Sequence, residues 1–143
     1  MMISTKGRYA LRVMLDLAER GTSEYIPLRD IAKRQDISEK YLETILPTLI
    51  KNNLLEALRG KGGGYRLTRE PESYTVDSIL RLLEKNSLTP VACLECEQNK
   101  CERAAHCKTL PMWTELNRMI SEYFDGITLA DLCNNKEQIN YNI

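Results

Sequence analysis

A single histidine in 143 residues leaves nothing from which to assemble a general base, a nucleophile and an oxyanion hole, so the chain is not expected to be an enzyme. Long apolar runs are also missing, and none approaches the length of a bilayer span. The stretch "MMISTKGRYALRVMLDLAERG" is interrupted by Arg8, Arg12 and Asp16 and lacks a small-residue cleavage site, so it does not read as a signal peptide. A cytoplasmic protein with no membrane partner is expected. The length of 143 residues suits one compact fold with an appendage, and 43% hydrophobic with 28% charged residues is ordinary for a soluble chain.

Net charge is absent too, with 20 Lys and Arg against 20 Asp and Glu, but the balance conceals an asymmetry. Residues 1–69 hold 13 basic and 8 acidic side chains, a net of +5, while residues 70–143 hold 7 and 12, a net of −5. A basic front half suits a polyanion partner, although solvated surfaces also show differences of this size.

Within that front half, Tyr9, Leu11, Val13, Met14, Leu17 and Ala18 recur mostly at three- and four-residue steps. This predicts an amphipathic helix from Thr5 to Arg20, ended by Gly21. Pro27 is placed for a first helical turn, and "LRDIAKRQ" offers Leu28, Ile31 and Ala32 as one face of a short second helix. Ser38 then caps a third helix whose buried stripe is Tyr41, Leu42, Ile45, Leu46, Leu49 and Ile50. The first turn of this helix exposes Glu39, Lys40, Glu43 and Thr44, side chains able to reach base edges from a major groove. Pro47 inside it predicts a modest kink.

Leu54–Arg59 and "YRLT" read as two short strands joined by "GKGGG". Helix, short helix, capped helix and glycine-tipped hairpin together describe a mainly α winged helix-turn-helix with a small β-hairpin wing. The tip, Lys61, Gly62, Gly63 and Gly64, can bring backbone close to phosphates beside a minor groove, with Arg59, Lys61, Arg66 and Arg69 supplying neutralising charge. It is a poor nucleotide loop, lacking a Gly-Lys-Ser/Thr ending and leading into a strand. The predicted DNA contacts are therefore Ser38, Lys40, Tyr41, Glu43, Thr44, Arg59, Lys61, Gly62, Gly63 and Gly64, with a double-stranded operator as partner.

Thr75 caps a fourth helix bearing Val76, Ile79, Leu80, Leu82 and Leu83, expected to lie against the first. Further on, Trp113, Leu116, Ile120 and Tyr123 repeat by three and four, widened by Leu110, Met112, Met119 and Phe124, until Gly126. A stripe this wide on a small winged domain predicts packing against the same helix of a second subunit, with burial on its own fourth helix as the alternative. Thr128 caps a last short helix, and the tail "NNKEQINYNI" is expected to fray.

The stretches "STKGRYALRVMLDLA", "IPLRDIA", "ISEKYLETIL" and "RGKGGGYRL" resemble the Rrf-type bacterial transcription regulators, particularly their iron–sulfur cluster (IscR-like) branch, from about Ile3 to Leu132. The resemblance implies a homodimeric winged-helix DNA-binding protein, with a long dimerisation helix and three loop cysteines that bind an iron–sulfur cluster. The matching positions are Cys93, Cys101 and Cys107, with seven and five residues between them; the first spacing is slightly long. In the family's namesake branch a histidine three residues after the last loop cysteine is the fourth ligand, and here that position is Leu110. An acid or histidine supplied by the partner's N-terminal region elsewhere in the family is not provided by Arg8 or Arg12. Cys96 is favoured as fourth ligand, because a thiolate in the same loop needs no cross-subunit geometry, and His106 is the runner-up.

Four cysteines and the only histidine in "CLECEQNKCERAAHC", residues 93–107, remain open to other chemistry. A reducing compartment and an odd total of five cysteines argue against a disulfide knot. Zinc suits four thiolates, but only Cys93-x-x-Cys96 has the paired spacing of a zinc knuckle. A thiol–disulfide switch at that pair is chemically sound but lacks a thioredoxin context. The favoured cofactor is a cluster, 2Fe-2S or 4Fe-4S, with zinc as the alternative, and Cys133 reads as a buried small residue. The expected layout is a winged domain at 1–86, a sensor loop at 87–109, dimerisation and terminal helices at 110–133, and a tail at 134–143. The expected function is a cluster-sensing repressor or dual regulator in which the order of the loop changes the spacing of the two recognition helices. The rival is a zinc-binding or thiol-switch winged-helix regulator.

Overall fold

The computed structural model describes residues 2–85, 88–96 and 98–134; the expected fraying beyond Asn134 lies outside them. Helix α1 (Thr5–Arg20) begins at Ser4, whose hydroxyl oxygen accepts from the Gly7 amide at 3.0 Å. Ala10, Val13, Met14 and Leu17 form its buried face. Helix α2 (Leu28–Gln35) ends at Asp36, whose left-handed backbone, φ 53°, turns the chain sharply into α3 (Glu39–Lys51). Ser38 caps α3, its oxygen accepting from the Tyr41 amide at 3.1 Å. Pro47 stands on the exposed face, and the helix runs through it to Lys51.

Strands β1 (Leu55–Leu58) and β2 (Gly64–Leu67) pair antiparallel with Leu55 opposite Leu67 and Leu58 opposite Gly64. Ile26 adds a third, single-residue strand by exchanging two backbone bonds with Tyr65, at 2.8 and 2.9 Å. Tyr74, fully buried, ties the base of this wing to the core: its hydroxyl donates to the Leu54 carbonyl at 2.9 Å and accepts from the amides of Thr68 and Arg69.

Helix α4 (Val76–Glu84), capped by Thr75, packs on α1 as expected. At its end Glu84, 6% exposed, accepts from the Ser4 amide and hydroxyl at 2.9 and 2.7 Å. Gly7 makes this possible, since a Cβ there would fall on the carboxylate oxygen. Two short 3₁₀ turns, Ala92–Leu94 and Ala104–His106, precede α5 (Leu110–Asp125). Helix α6 (Leu129–Asn134) then returns to the winged domain. Thr128 and Asp131 cap it reciprocally, the Leu129 amide donates to the Tyr74 carbonyl at 3.0 Å, and Leu129 is fully buried.

One main core unites α1, α2, α3, the wing, Tyr74, α4 and α6. Each fully buried Leu or Ile in it contributes about 1.5–3 kcal/mol. A smaller cluster of Val76, Leu80 and Leu88 receives Phe124, which anchors the C-terminal end of α5. Arg81 adds a bond from α4 to Ser121 at 2.6 Å. No residue of α5 is fully buried, and Met112, Leu116, Met119 and Tyr123 stand exposed along one stripe.

Candidate nucleic-acid interface and cysteine loop

Helix α3 is held by its apolar face, with Leu42, Ile45 and Leu49 buried, so Lys40, Glu43 and Thr44 are turned outward. Among the described residues neither Lys40 nor Glu43 has an ion-pair partner, which leaves one donor and one acceptor free for a ligand. The hydroxyl of Thr44 donates to the Tyr41 carbonyl at 2.6 Å, so toward a ligand it offers only lone pairs. Ser38, engaged as a cap acceptor, keeps its hydroxyl proton. Tyr41 is half-buried, its ring edge-on to Tyr9 at 5.4 Å, so part of its role is to seat α3 on α1.

The wing tip turns through Gly60 and Gly62 at φ 92° and 76°, closed by the Gly63 amide donating to the Gly60 carbonyl at 3.0 Å. Gly64, at φ 152°, lies where a Cβ would overlap the Ile26 carbonyl, and the third-strand pairing depends on that approach. Arg59 and Lys61 are exposed and, among the described residues, unpaired. Of the other two arginines expected to supply charge at the wing, Arg66 is taken up in an ion pair, whereas Arg69 is exposed and has no acidic partner among the described residues. Arg66 lies opposite Glu56 and pairs with it, stacks over Tyr25 at 4.2 Å and donates to the Ser23 carbonyl at 3.1 Å. Arg69 covers the Tyr74 ring at 4.5 Å and donates to the Ser73 hydroxyl at 3.2 Å. Both are engaged in holding the wing together.

Sequence reasoning missed two polar joints behind this surface. One is the Ser4–Glu84 contact. The other is Asp16 of α1, 2% exposed, bonded to Arg34 and Gln35 of α2. A charged residue within the apolar period of α1 was the available signal for the second.

The cysteines occupy the segment between α4 and α5. Cys93 lies in the first 3₁₀ turn and is half-buried, Cys96 and Cys101 are exposed, and Cys107 is half-buried just after the second turn. His106 is exposed beside it. All five thiols are free. Among the described residues no three His, Cys, Asp or Glu side chains are gathered closely enough to hold a metal ion. The donor chemistry nevertheless fits a thiophilic centre: four unpaired thiols lie on one fifteen-residue stretch. The Cys107 thiol is held below its ordinary range by the Thr109 hydroxyl, 3.3 Å away, by the amides of Thr109 and Leu110 at the start of α5, and by the charge of Arg103. Cys133 is pushed the other way, by burial and by Glu19 and Glu72. In metal-free protein at neutral pH, iodoacetamide is therefore expected to label Cys107 well before Cys133, as read by peptide mass mapping. Equal labelling rates would contradict these environments.

No helix among the described residues is long and apolar enough to cross a membrane. Residues 3–135 match the family model described as "Rrf2: Iron-dependent Transcriptional regulator". The chain is 36% identical over 138 residues to an HTH-type transcriptional regulator IscR of Erwinia tasmaniensis, covering 96% of this chain and 81% of that one. An IscR of Yersinia enterocolitica matches with the same identity and 82% coverage. Among solved structures, CymR (YrzC), the global cysteine regulator of B. subtilis, superposes with a TM-score of 0.77 at 33% identity, covering 96% of this chain and 99% of that chain. The IscR of T. potens does so with 0.74 at 34% identity, covering 98% and 91%. These relatives are regulators and not enzymes, and the superposed structures are winged-helix regulators. Fold, wing and cysteine-bearing segment thus meet in one assignment: the chain belongs to the Rrf2 family of DNA-binding transcriptional regulators.

Proposed function

We propose that the chain acts as a homodimeric regulator that reads its operator with α3 and the wing and senses iron–sulfur or redox status through its cysteine loop. The observation that carries this reading is the joint placement of four free thiols and an exposed apolar stripe on either side of the start of α5. In this arrangement residues 1–86 form the DNA-binding unit, 87–109 the sensor and 110–133 the dimerisation unit. Lys40, Glu43 and Thr44 face base edges, with Ser38 and Tyr41 at the helix start; Arg59, Lys61 and the Gly62–Gly64 tip approach the minor groove.

Cys93, Cys101 and Cys107 are the assigned ligands of an iron–sulfur cluster, with Cys96 as the fourth and His106 as the competing candidate. When bound, such a cluster supplies sensitivity to iron supply and oxidation. The chain's own contribution is to bring these thiolates together in a segment rich in charge, and to transmit the order of that segment to α5, hence to the spacing of two wings across a dimer. The relatives named IscR support the cluster, and those named as cysteine regulators share the fold without deciding the ligand.

The decisive experiment is anaerobic purification followed by visible absorption and iron and sulfide analysis. A coloured protein with iron and sulfide is expected, and Cys101→Ala is expected to be colourless. Colourless wild-type protein carrying stoichiometric zinc would establish the zinc reading instead.

A further inference from the structure

The carboxylate of Asp16 is held inside the protein by three bonds, all to the last turn of α2. It accepts from Arg34 Nε at 3.0 Å and Nη2 at 2.7 Å, and from Gln35 Nε2 at 2.9 Å. One turn earlier on α1, Arg12 donates to the Gln35 backbone carbonyl and, at 3.3 Å, to its side-chain oxygen. The same guanidinium lies 5.1 Å from the Tyr9 ring, whose neighbour is Tyr41 of α3. Only Asp36, Ile37 and Ser38 separate Gln35 from α3. The end of one helix of the helix-turn-helix and the start of the other are thus both fixed from α1.

An ion pair whose acid is buried, as Asp16 is while Arg34 stays partly exposed, is a poor source of stability, because desolvation offsets much of its attraction. A planar guanidinium gripped at two points is, however, a precise one: it permits one orientation, where apolar packing permits several. We propose that Asp16 is a positioning residue that sets the angle at which α3 presents Lys40, Glu43 and Thr44 to DNA, and so governs sequence discrimination without touching DNA. This rests on α3 being the reading helix.

The test uses the full chain and two duplexes: one that the wild-type protein enriches from a randomised library, and a scrambled version, both at the same salt concentration. The discrimination ratio is measured by fluorescence anisotropy at a temperature where circular dichroism shows each variant folded. Asp16→Asn is expected to lower the ratio by about tenfold, the low end of what one mismatched base pair is worth. Arg34→Lys, which keeps the charge and loses the two-point grip, is expected to lower it similarly and serves if Asp16→Asn does not fold. The double variant Asp16→Leu, Arg34→Met is expected to recover thermal stability without recovering discrimination. Wild-type discrimination in the double variant or in Arg34→Lys overturns the proposal, because a purely structural role would be rescued with stability. Glu43→Ala separates the two levels: no change in its ratio refutes α3 as the reading helix, whereas a changed ratio beside an unaffected Arg34→Lys refutes the positioning role alone.

Discussion

Aspartates at Leu116 and Met119 are expected to leave the chain folded, monomeric and nearly unable to hold a two-half-site operator. The four exposed large apolar residues of α5, Met112, Leu116, Met119 and Tyr123, are spaced by four, three and four. That alternation suits the seam of two helices packed at a shallow angle, in which each side chain would enter a hole on the partner. The opposite side of α5 is already used, through Phe124 and Ser121 against α4, so the stripe is free for a second copy. Two buried charges facing their symmetry mates at such a seam would be desolvated without partners, a penalty of several kcal/mol. Two linked wings gain affinity through effective concentration, and losing the link is expected to weaken operator binding by about 10²–10³. Light scattering reads the mass and anisotropy the affinity. A dimer of unchanged affinity would move the subunit contact away from α5.

The second large effect is expected at Gly64. An alanine there must adopt φ near 152°, a region that L side chains rarely occupy, and must also place its methyl on the Ile26 carbonyl. Strain of about 1–3 kcal/mol adds to overpacking of about 1–3 kcal/mol, because the obstacle is backbone and cannot swing aside. For a chain of this size the combined loss lowers Tm by roughly 10 °C or more. The wing should suffer first: the bonds between Ile26 and Tyr65 part, and DNA affinity falls more than the helical signal does. Gly62→Ala provides the comparison, since a Cβ there meets nothing and only its φ of 76° is unfavourable. Equal melting temperatures for Gly64→Ala and wild type would contradict the close approach to Ile26.

The helices were legible because each carries a period and a start signal. Ser38, Thr75 and Thr128 are caps in the structure, where serine and threonine before apolar runs predict them. The pairing of Ile26 with Tyr65 had no such signature, since one residue cannot show a period of two. Arg66 departs from the expected role for a related reason. Charge can be counted from composition, but whether an arginine is free depends on register, and here the register sets Arg66 against Glu56. Asp16 was visible as a break in an apolar face, but its partners lie 18 and 19 residues away and belong to packing. In the cysteine segment, spacing names the chemistry of the donors, but which thiols could meet depends on closure of the loop, which is a matter of three dimensions.

The contact of Ser4, Gly7 and Glu84 has a meaning on the scale of lineages. Any side chain at position 7 collides with the acid at 84, and shortening the acid strands the donors of Ser4. The three positions can therefore drift only as a set. A regulator that diverged here would have to cross a less stable intermediate, so this corner should stay fixed while the cysteine-bearing segment between α4 and α5 is free to change its thiols one at a time.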